Sequence, residues 1–439
     1  MIRAACGFCS SFVATKGDNQ SWLNPVKRGF LLDTHSGNLS YSSFLWTNRR
    51  WLAGGLLITL CSSFGQTYFI SLFSSNIRED FSLTHGEFGQ LYMLATLASS
   101  FTLLWLGKTL DHFRIAIVAA CVFTGLASFC LAMGKVNSVP GLLIVLYGLR
   151  LFGQGMMTHT AMTAMGKWYV AARGRAVATT GMGYHIGEGI MPGIIVYALT
   201  VVTWQSLWLA GSALLLLLVP IIFSLFSKER QPGSEEQKQA DAGHQWSRKE
   251  VLRDSAFWIL CLGVLAPSFI GTSHFFHLIH ITEYKQWTTN WAASSFILLA
   301  VMTITWTLIA GWLVDRFSAR HLLPYFLVPL GLSCLALAAS DHPYVLFLFM
   351  GLLGISYGIS SSLFGALWPE IYGTKHLGSI RAMAVAAMVL ASALGPGITG
   401  TLIDVGFDYN SQLWIMALYA LVCALIMRSV SKTLLARAD

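Results

Sequence analysis

Twelve apolar segments, each long enough to cross a hydrocarbon layer about 30 Å thick, fill most of this 439-residue chain. They run over 51–75, 87–107, 114–133, 140–164, 175–200, 204–226, 255–282, 290–312, 321–340, 343–367, 379–403 and 410–429. A soluble domain carries roughly 25% charged residues; here 11% are charged and 55% hydrophobic. No soluble core of this length hides so much apolar surface. The expected fold is an all-α polytopic membrane protein of twelve transmembrane helices in two pseudo-symmetric six-helix bundles.

The connectors are short except for Ser227 to Asp254, a run rich in Glu, Gln and Lys. It divides the chain into a tail (1–50), a first bundle (51–226), a linker (227–254), a second bundle (255–430) and a short tail (431–439). The opening stretch MIRAACGFCSSFVA has too short an apolar core, and no clear small-residue cleavage site, to read as a signal peptide. Lysine and arginine set the orientation. With the N-terminus inside, 24 of the 28 fall on the inner side, three (Arg78, Lys135, Lys285) on the outer side, and Arg150 inside a span. Tails and linker are therefore expected in the cytoplasm, and the chain in a plasma or bacterial inner membrane. The net charge of +8 is explained by this topology, so no nucleic-acid partner is expected.

Six of the eight cysteines lie in apolar segments as small core residues. Cys6 and Cys9 form a lone CxxC with no second ligand pair, so no metal is expected there. A phosphate-binding loop ending in Lys-Ser/Thr is missing too, and no cofactor or ATP drive is expected.

The halves repeat. Gly107, Asp111, Gly174, Pro192 and Gly193 recur 204 positions later as Gly311, Asp315, Gly378, Pro396 and Gly397. Gly148 and Gly155 recur 203 later as Gly351 and Gly358. Seven matches in order point to a duplicated six-helix unit whose halves rock about a central site. The loops GKTLDHFR and GWLVDRFSAR, with Arg150 followed by Gly153, Gln154 and Gly155, resemble the major facilitator superfamily. FGQTYFISLF in the first segment, FFH in the seventh and LGSIRAMAVAAMVLASALGPGITGTLID in the eleventh look like its monocarboxylate-porter and oxalate/formate-antiporter branch. The resemblance implies a transporter whose segments 1, 4, 7 and 10 line the pathway. That branch carries charges in segment 8 to bind a carboxylate; segment 8 here has none.

Two charges sit near mid-membrane: Arg150 in segment 4 and Glu188 in segment 5. An unpaired ion there costs at least about 2.5–3.5 kcal/mol. Gln154 shares a helical face with Arg150, and His185 with Glu188. If the two helices are neighbours, Arg150 and Glu188 meet. They then form either a static pair that fixes packing, or an anion site (Arg150) beside a proton site (Glu188 with His185). The repeat aligns Arg150 with Leu353 and Glu188 with Ser392, so the charges belong to one half only. Further polar candidates are Gln66 and Tyr68 in segment 1, His274 and His277 in segment 7, Trp306 in segment 8 and Tyr357 in segment 10. The histidines, with His280 and Tyr284, read as a cavity-lining or outer-gate stripe rather than a metal site. Gly107, Asp111, Arg114, Gly311, Asp315 and Arg316 read as loop latches that break and re-form as the halves rock.

The expected function is secondary transport of a small organic anion, with a monocarboxylate as the candidate, by symport with protons or by exchange. The expected partners are the substrate, protons and the bilayer, and the chain is expected to act as a monomer without enzymatic activity. The alternatives are efflux of amphipathic compounds and a non-transporting membrane sensor.

Overall fold

The computed structural model describes residues 41–107, 109–169, 173–230, 246–373 and 377–436. Cys6, Cys9, most of the expected N-terminal tail and of the linker, and the last three residues lie outside them. Twelve spans follow in order. They are α1 (Arg49–Gly65 with Thr67–Phe81), α2 (His85–Leu106), α3 (Ile115–Met133), α4 (Val139–Trp168), α5 (Arg173–Ala198) and α6 (Trp204–Phe226). After the linker come α7 (Ser255–Phe276), α8 (Thr289–Phe317), α9 (Val328–Ala339), α10 (Tyr344–Tyr372), α11 (Leu377–Asp404) and α12 (Tyr409–Ala436). Nine are long and apolar enough to cross a membrane singly, and α1 qualifies as a pair bent by 45°. The other two are α5, with a polar middle, and the 12-residue α9.

The boundaries differ from the sequence reading at several places, three of them outside the cores of the spans. A short helix, Tyr41–Thr47, precedes α1 within the expected tail. Segment 9 is split into a turn of helix, Ala319–Leu322, and α9. Finally α12 runs on to Ala436, past the expected end at 430. Helix starts carry their own signals. Thr84 and Glu87 form a capping box for α2, Ser138 caps α4 ahead of Pro140, and the Asp254 side chain caps α7. Tyr372 at the end of α10 donates to that same Asp254, 3.0 Å away.

Contacts between the halves concentrate on one side. We call this the far face, opposite the linker. α2 crosses α11 so closely that a Cβ on Gly89 would lie 2.5 Å from the Pro396 carbonyl oxygen. α5 meets α8 where Gly189 faces Ala300. Hydrogen bonds join the halves at the far face. They run from Gly86 N–H to Asp404 (2.7 Å), Gln90 to Thr401 (3.2 Å) and Ser75 to Glu283 (3.1 Å). Toward the linker face, Gly166 and Gly365 border open space. The molecule is thus closed at its far face.

Two backbone irregularities meet inside the first half. α1 tightens into a 3₁₀ turn at Ser62–Gly65 and breaks at Gln66, whose backbone is extended (φ −85°, ψ 152°). Opposite it, α4 widens to a π-helix over Arg150–Met157. Such bulges gather at functional sites. The break and the bulge touch backbone to backbone: a Cβ on Gly153 would lie 2.5 Å from the Gly65 Cα. Neither neighbour is a side chain that can turn aside. Gly153→Ala should therefore cost about 1–3 kcal/mol or more. That is a fall of several degrees in the thermal unfolding midpoint in detergent; an unchanged midpoint would refute the close approach.

Candidate functional site

Arg150, at the start of the π-bulge, is 1% exposed. Its Nε donates to Thr96 Oγ1 at 3.1 Å, and its Nη1 to the Gly65 carbonyl at 2.9 Å and, more weakly, to Thr67 Oγ1 at 3.4 Å. The guanidinium carbon stands 4.9 Å from the Tyr92 ring centroid. Breaking α1 leaves the Gly65 carbonyl without its usual helical donor, at the negative end of a helix, and Arg150 supplies both a hydrogen and a positive charge. Nη2 has no hydrogen-bond partner.

The expected meeting of Arg150 with Glu188 does not occur. Among the described residues no ion pair joins them: Glu188 is matched with His185, and the arginine faces α1 and α2 instead. The intervening chain is the reason: the broken α1 lies against α4 at Gly153 and against α5 at Gly187, so it separates the two charges. Glu188 is 0% exposed and accepts from the Tyr184 hydroxyl at 3.2 Å. Its other oxygen lies 3.4 Å from His185 Nδ1. Tyr68 packs edge-on against Tyr184 with ring centroids 5.9 Å apart, and donates to Ser63 Oγ at 2.7 Å. It also reaches Phe296 of α8 across the half interface, at 6.1 Å. Tyr357 of α10 lies within Coulombic range of Glu188. Glu188 thus sits at mid-span among aromatic hydroxyls drawn from both halves. Gln66, at the break, donates to Ser62 at 3.3 Å, and Gln154 is half-buried in the bulge.

The histidine stripe of α7 does not share one face. The helix breaks at His277, between Phe276 and a short helix Leu278–Tyr284. His274 turns into the second half, 3.9 Å from the Phe349 ring centroid and 3.5 Å from the Tyr409 hydroxyl. His277 and His280 instead face His85 of α2 at the far face. Trp306 is half-buried, packed where Gly358 lets α8 and α10 touch.

The family model described as "Major Facilitator Superfamily" matches residues 55–307 and 288–435. The chain belongs to the major facilitator superfamily. It is a multi-pass integral membrane protein whose relatives are transporters. It is 22% identical to the hexuronate transporter of Escherichia coli strain K12 over 368 residues, 77% of this chain and 84% of that one. It is 23% identical to monocarboxylate transporter 12 of Rattus norvegicus over 416 residues, 87% and 84% of the two chains. In fold it matches a bacterial homologue of the human lysosomal transporter Spinster, solved inward-facing and unoccupied. The TM-score there is 0.69 at 15% identity, covering 89% of this chain and 98% of that one.

In this superfamily member the repeated loops differ between halves. Gly107 ends α2 with His159 close by, and Asp111 follows in the short helix Thr109–His112. The side chains of Asp111 and Asp315 lie outside the described atoms. Arg114 does not reach a neighbouring span of the loop; it donates to the Ser227 carbonyl at 2.8 Å, tying the loop to the end of α6. Gly311 borders mostly open space, and Arg316 is exposed over Trp312 at 5.5 Å. The strongest loop contact belongs to residues the sequence reading passed over. Glu370 accepts from Ser318 Oγ at 2.6 Å and Ala319 N–H at 3.0 Å, and pairs with Arg320 Nε at 2.9 Å. Also missed were Thr96 and Tyr92 around Arg150, Tyr184 beside Glu188, and His85. Tyr184 was findable, since it stands four residues before Glu188 on one helical face. The others come from distant spans and left no local signal.

Proposed function

We propose that this chain is a secondary transporter of a small organic anion bearing a carboxylate. One observation carries the reading: Arg150 is a fully buried cation at mid-span that, among the described residues, is paired with no acid and has one amino group, Nη2, unpartnered. A guanidinium presents five N–H donors in a planar fork suited to carboxylate oxygens. A substrate carboxylate would complete the shell, displacing the long Thr67 contact, and would neutralise a charge that is otherwise held by dipoles and one ring. The names of the relatives, hexuronate and monocarboxylate transporters, are those of carboxylate carriers and support the class.

Coupling to protons follows from Glu188. A carboxylate buried at mid-span is neutral or charged according to whether it holds a proton. Tyr184 and His185 give that proton a hydrogen-bonded exit. Alternating access proceeds by rocking of the halves, with both tails and the linker on the cytoplasmic side of a plasma or bacterial inner membrane. The Lys and Arg distribution supports that orientation. The decisive experiment is uptake of a panel of labelled organic acids, sugar acids included, into proteoliposomes with and without an inward pH gradient. Accumulation of at least one acid, stimulated by the gradient, is expected. Uptake of uncharged or cationic amphipaths with no acid transported would overturn the proposal.

A further inference from the structure

The far-face closure is built from ionisable groups contributed by both halves. His85 opens α2, and its ring lies 4.3 Å from that of His280 and 6.1 Å from that of His277. These three histidines line one pocket with Arg78 and Ser74 of α1, walled by Phe88 and Phe276, which stack at 5.0 Å. His277 is 2% exposed, with Nε2 3.2 Å from the Pro396 carbonyl of α11. His85 and His280 are half-buried and so remain open to protons from solvent. Two acids face the same cluster, Asp404 at the end of α11 and Glu283 beyond α7. Both already serve the closure: Asp404 accepts from Gly86 N–H, and Glu283 from Ser75. Tyr284 lies near His280, at 6.4 Å, and His274 lies behind His277. Among the described residues no group of three or more His, Cys, Asp or Glu is placed to hold a metal.

We propose that His85, His277 and His280 form a proton-binding station that unlocks the far face. Neutral imidazoles pack edge to face across the interface and let it close. Charged ones act against closure in two ways. They repel one another and Arg78 within a pocket that has aromatic walls and little water to screen them. They also compete for Asp404 and Glu283, drawing each acid away from the backbone amide or hydroxyl that it holds on the opposite half. Opening separates the rings and hydrates them, so the open state binds more protons than the closed one. By linkage, falling pH must then favour the open state. The site is separate from Glu188 and from Arg150, and the inference does not depend on the substrate. With the far face outward, the orientation proposed above, it gives external acid a role in opening the carrier, beyond any proton carried with the cargo.

The test reads conformation without substrate. Spin labels are placed at Val201→Cys and Val405→Cys, exposed far-face positions in opposite halves, in the full chain with native cysteines replaced and reconstituted in nanodiscs. At pH 7.5 one short inter-label distance is expected. At pH 5.5 a longer distance should grow at least about fivefold in population. In His85→Gln/His280→Gln the pH 7.5 distance, which also reports correct folding, should match the parent, and the growth at pH 5.5 should be lost. If the double variant does not assemble, His280→Gln alone, at a half-exposed position, should at least halve the growth. An unchanged parent distribution between the two pH values overturns the proposal. So does equal growth in the histidine variants, or a variant that is already open at pH 7.5.

Discussion

Arg150→Ala, reconstituted into proteoliposomes, should transport labelled organic acids at no more than about a hundredth of the parent rate. Removing one partner of a buried charged contact costs about 3–5 kcal/mol, and each 1.36 kcal/mol is tenfold in rate. The substitution also deprives the Gly65 carbonyl and Thr96 of their donor. A misassembled protein must therefore be distinguished from a disabled one. Arg150→Lys makes the distinction. It keeps the charge and one donor to Gly65 but loses the planar fork, so the protein should insert and remain monodisperse while uptake falls by tenfold or more. Near-normal uptake by the lysine variant would show that the fork is not used, and near-normal uptake by the alanine variant would remove Arg150 from substrate binding.

Glu188→Gln should separate accumulation from exchange. Glutamine keeps the shape of the protonated acid and its contacts with Tyr184 and His185, but it cannot release a proton. Gradient-driven accumulation should collapse until the internal and external concentrations of the substrate are nearly equal. Exchange of labelled for unlabelled substrate at equal pH on both sides should persist within a few-fold of the parent. Undiminished accumulation would take Glu188 out of the coupling. Loss of exchange as well would assign the carboxylate to packing or substrate contact. Its burial at 0% exposure makes the first result the expected one, since a fixed negative charge at that depth has no basic partner nearer than a half-buried histidine.

Much of the architecture was legible because the bilayer imposes simple rules. Apolar run length located the spans, and the 204-residue echo of Gly107, Pro192 and Gly193 revealed the duplication. The chemistry was legible only as residue types. Arg150 and Glu188 stood out because charge is rare at mid-span, yet their partners could not be read. The sequence gives no warning that α1 breaks at Gln66, because no proline marks the site. FGQTYF looks like a continuous helix until the π-bulge of α4 is seen filling the space beside it. That break places a backbone carbonyl, not a carboxylate, in front of the arginine. The α7 stripe failed for a related reason. Helical periodicity was extrapolated through His277, where the chain turns, so residues expected on one face diverge to different helices. Arg78 and Lys285, counted only as outer-loop charges, both have structural employment. Arg78 lines the histidine cluster, and Lys285 donates to the Leu337 and Ser340 carbonyls and to Asp341 at 2.7 Å.

The break in α1 also bears on how the protein is made. A span released alone into lipid must satisfy its own backbone, because the hydrocarbon offers no donors and each orphaned polar group there costs several kcal/mol. α1 cannot do so. Its carbonyl at Gly65 takes its hydrogen from Arg150, 85 residues later in the chain. Arg150 in turn is a poor candidate for solitary insertion, since its charge is met by Gly65, Thr96 and the Tyr92 ring, none of them in its own helix. The broken α1 and the α4 bulge are thus incomplete separately, and complete only together with α2, which supplies Thr96 and Tyr92. The broken form of α1 is therefore stable in the bilayer only once α4 lies beside it, so break and bulge form as one cooperative unit rather than one helix at a time.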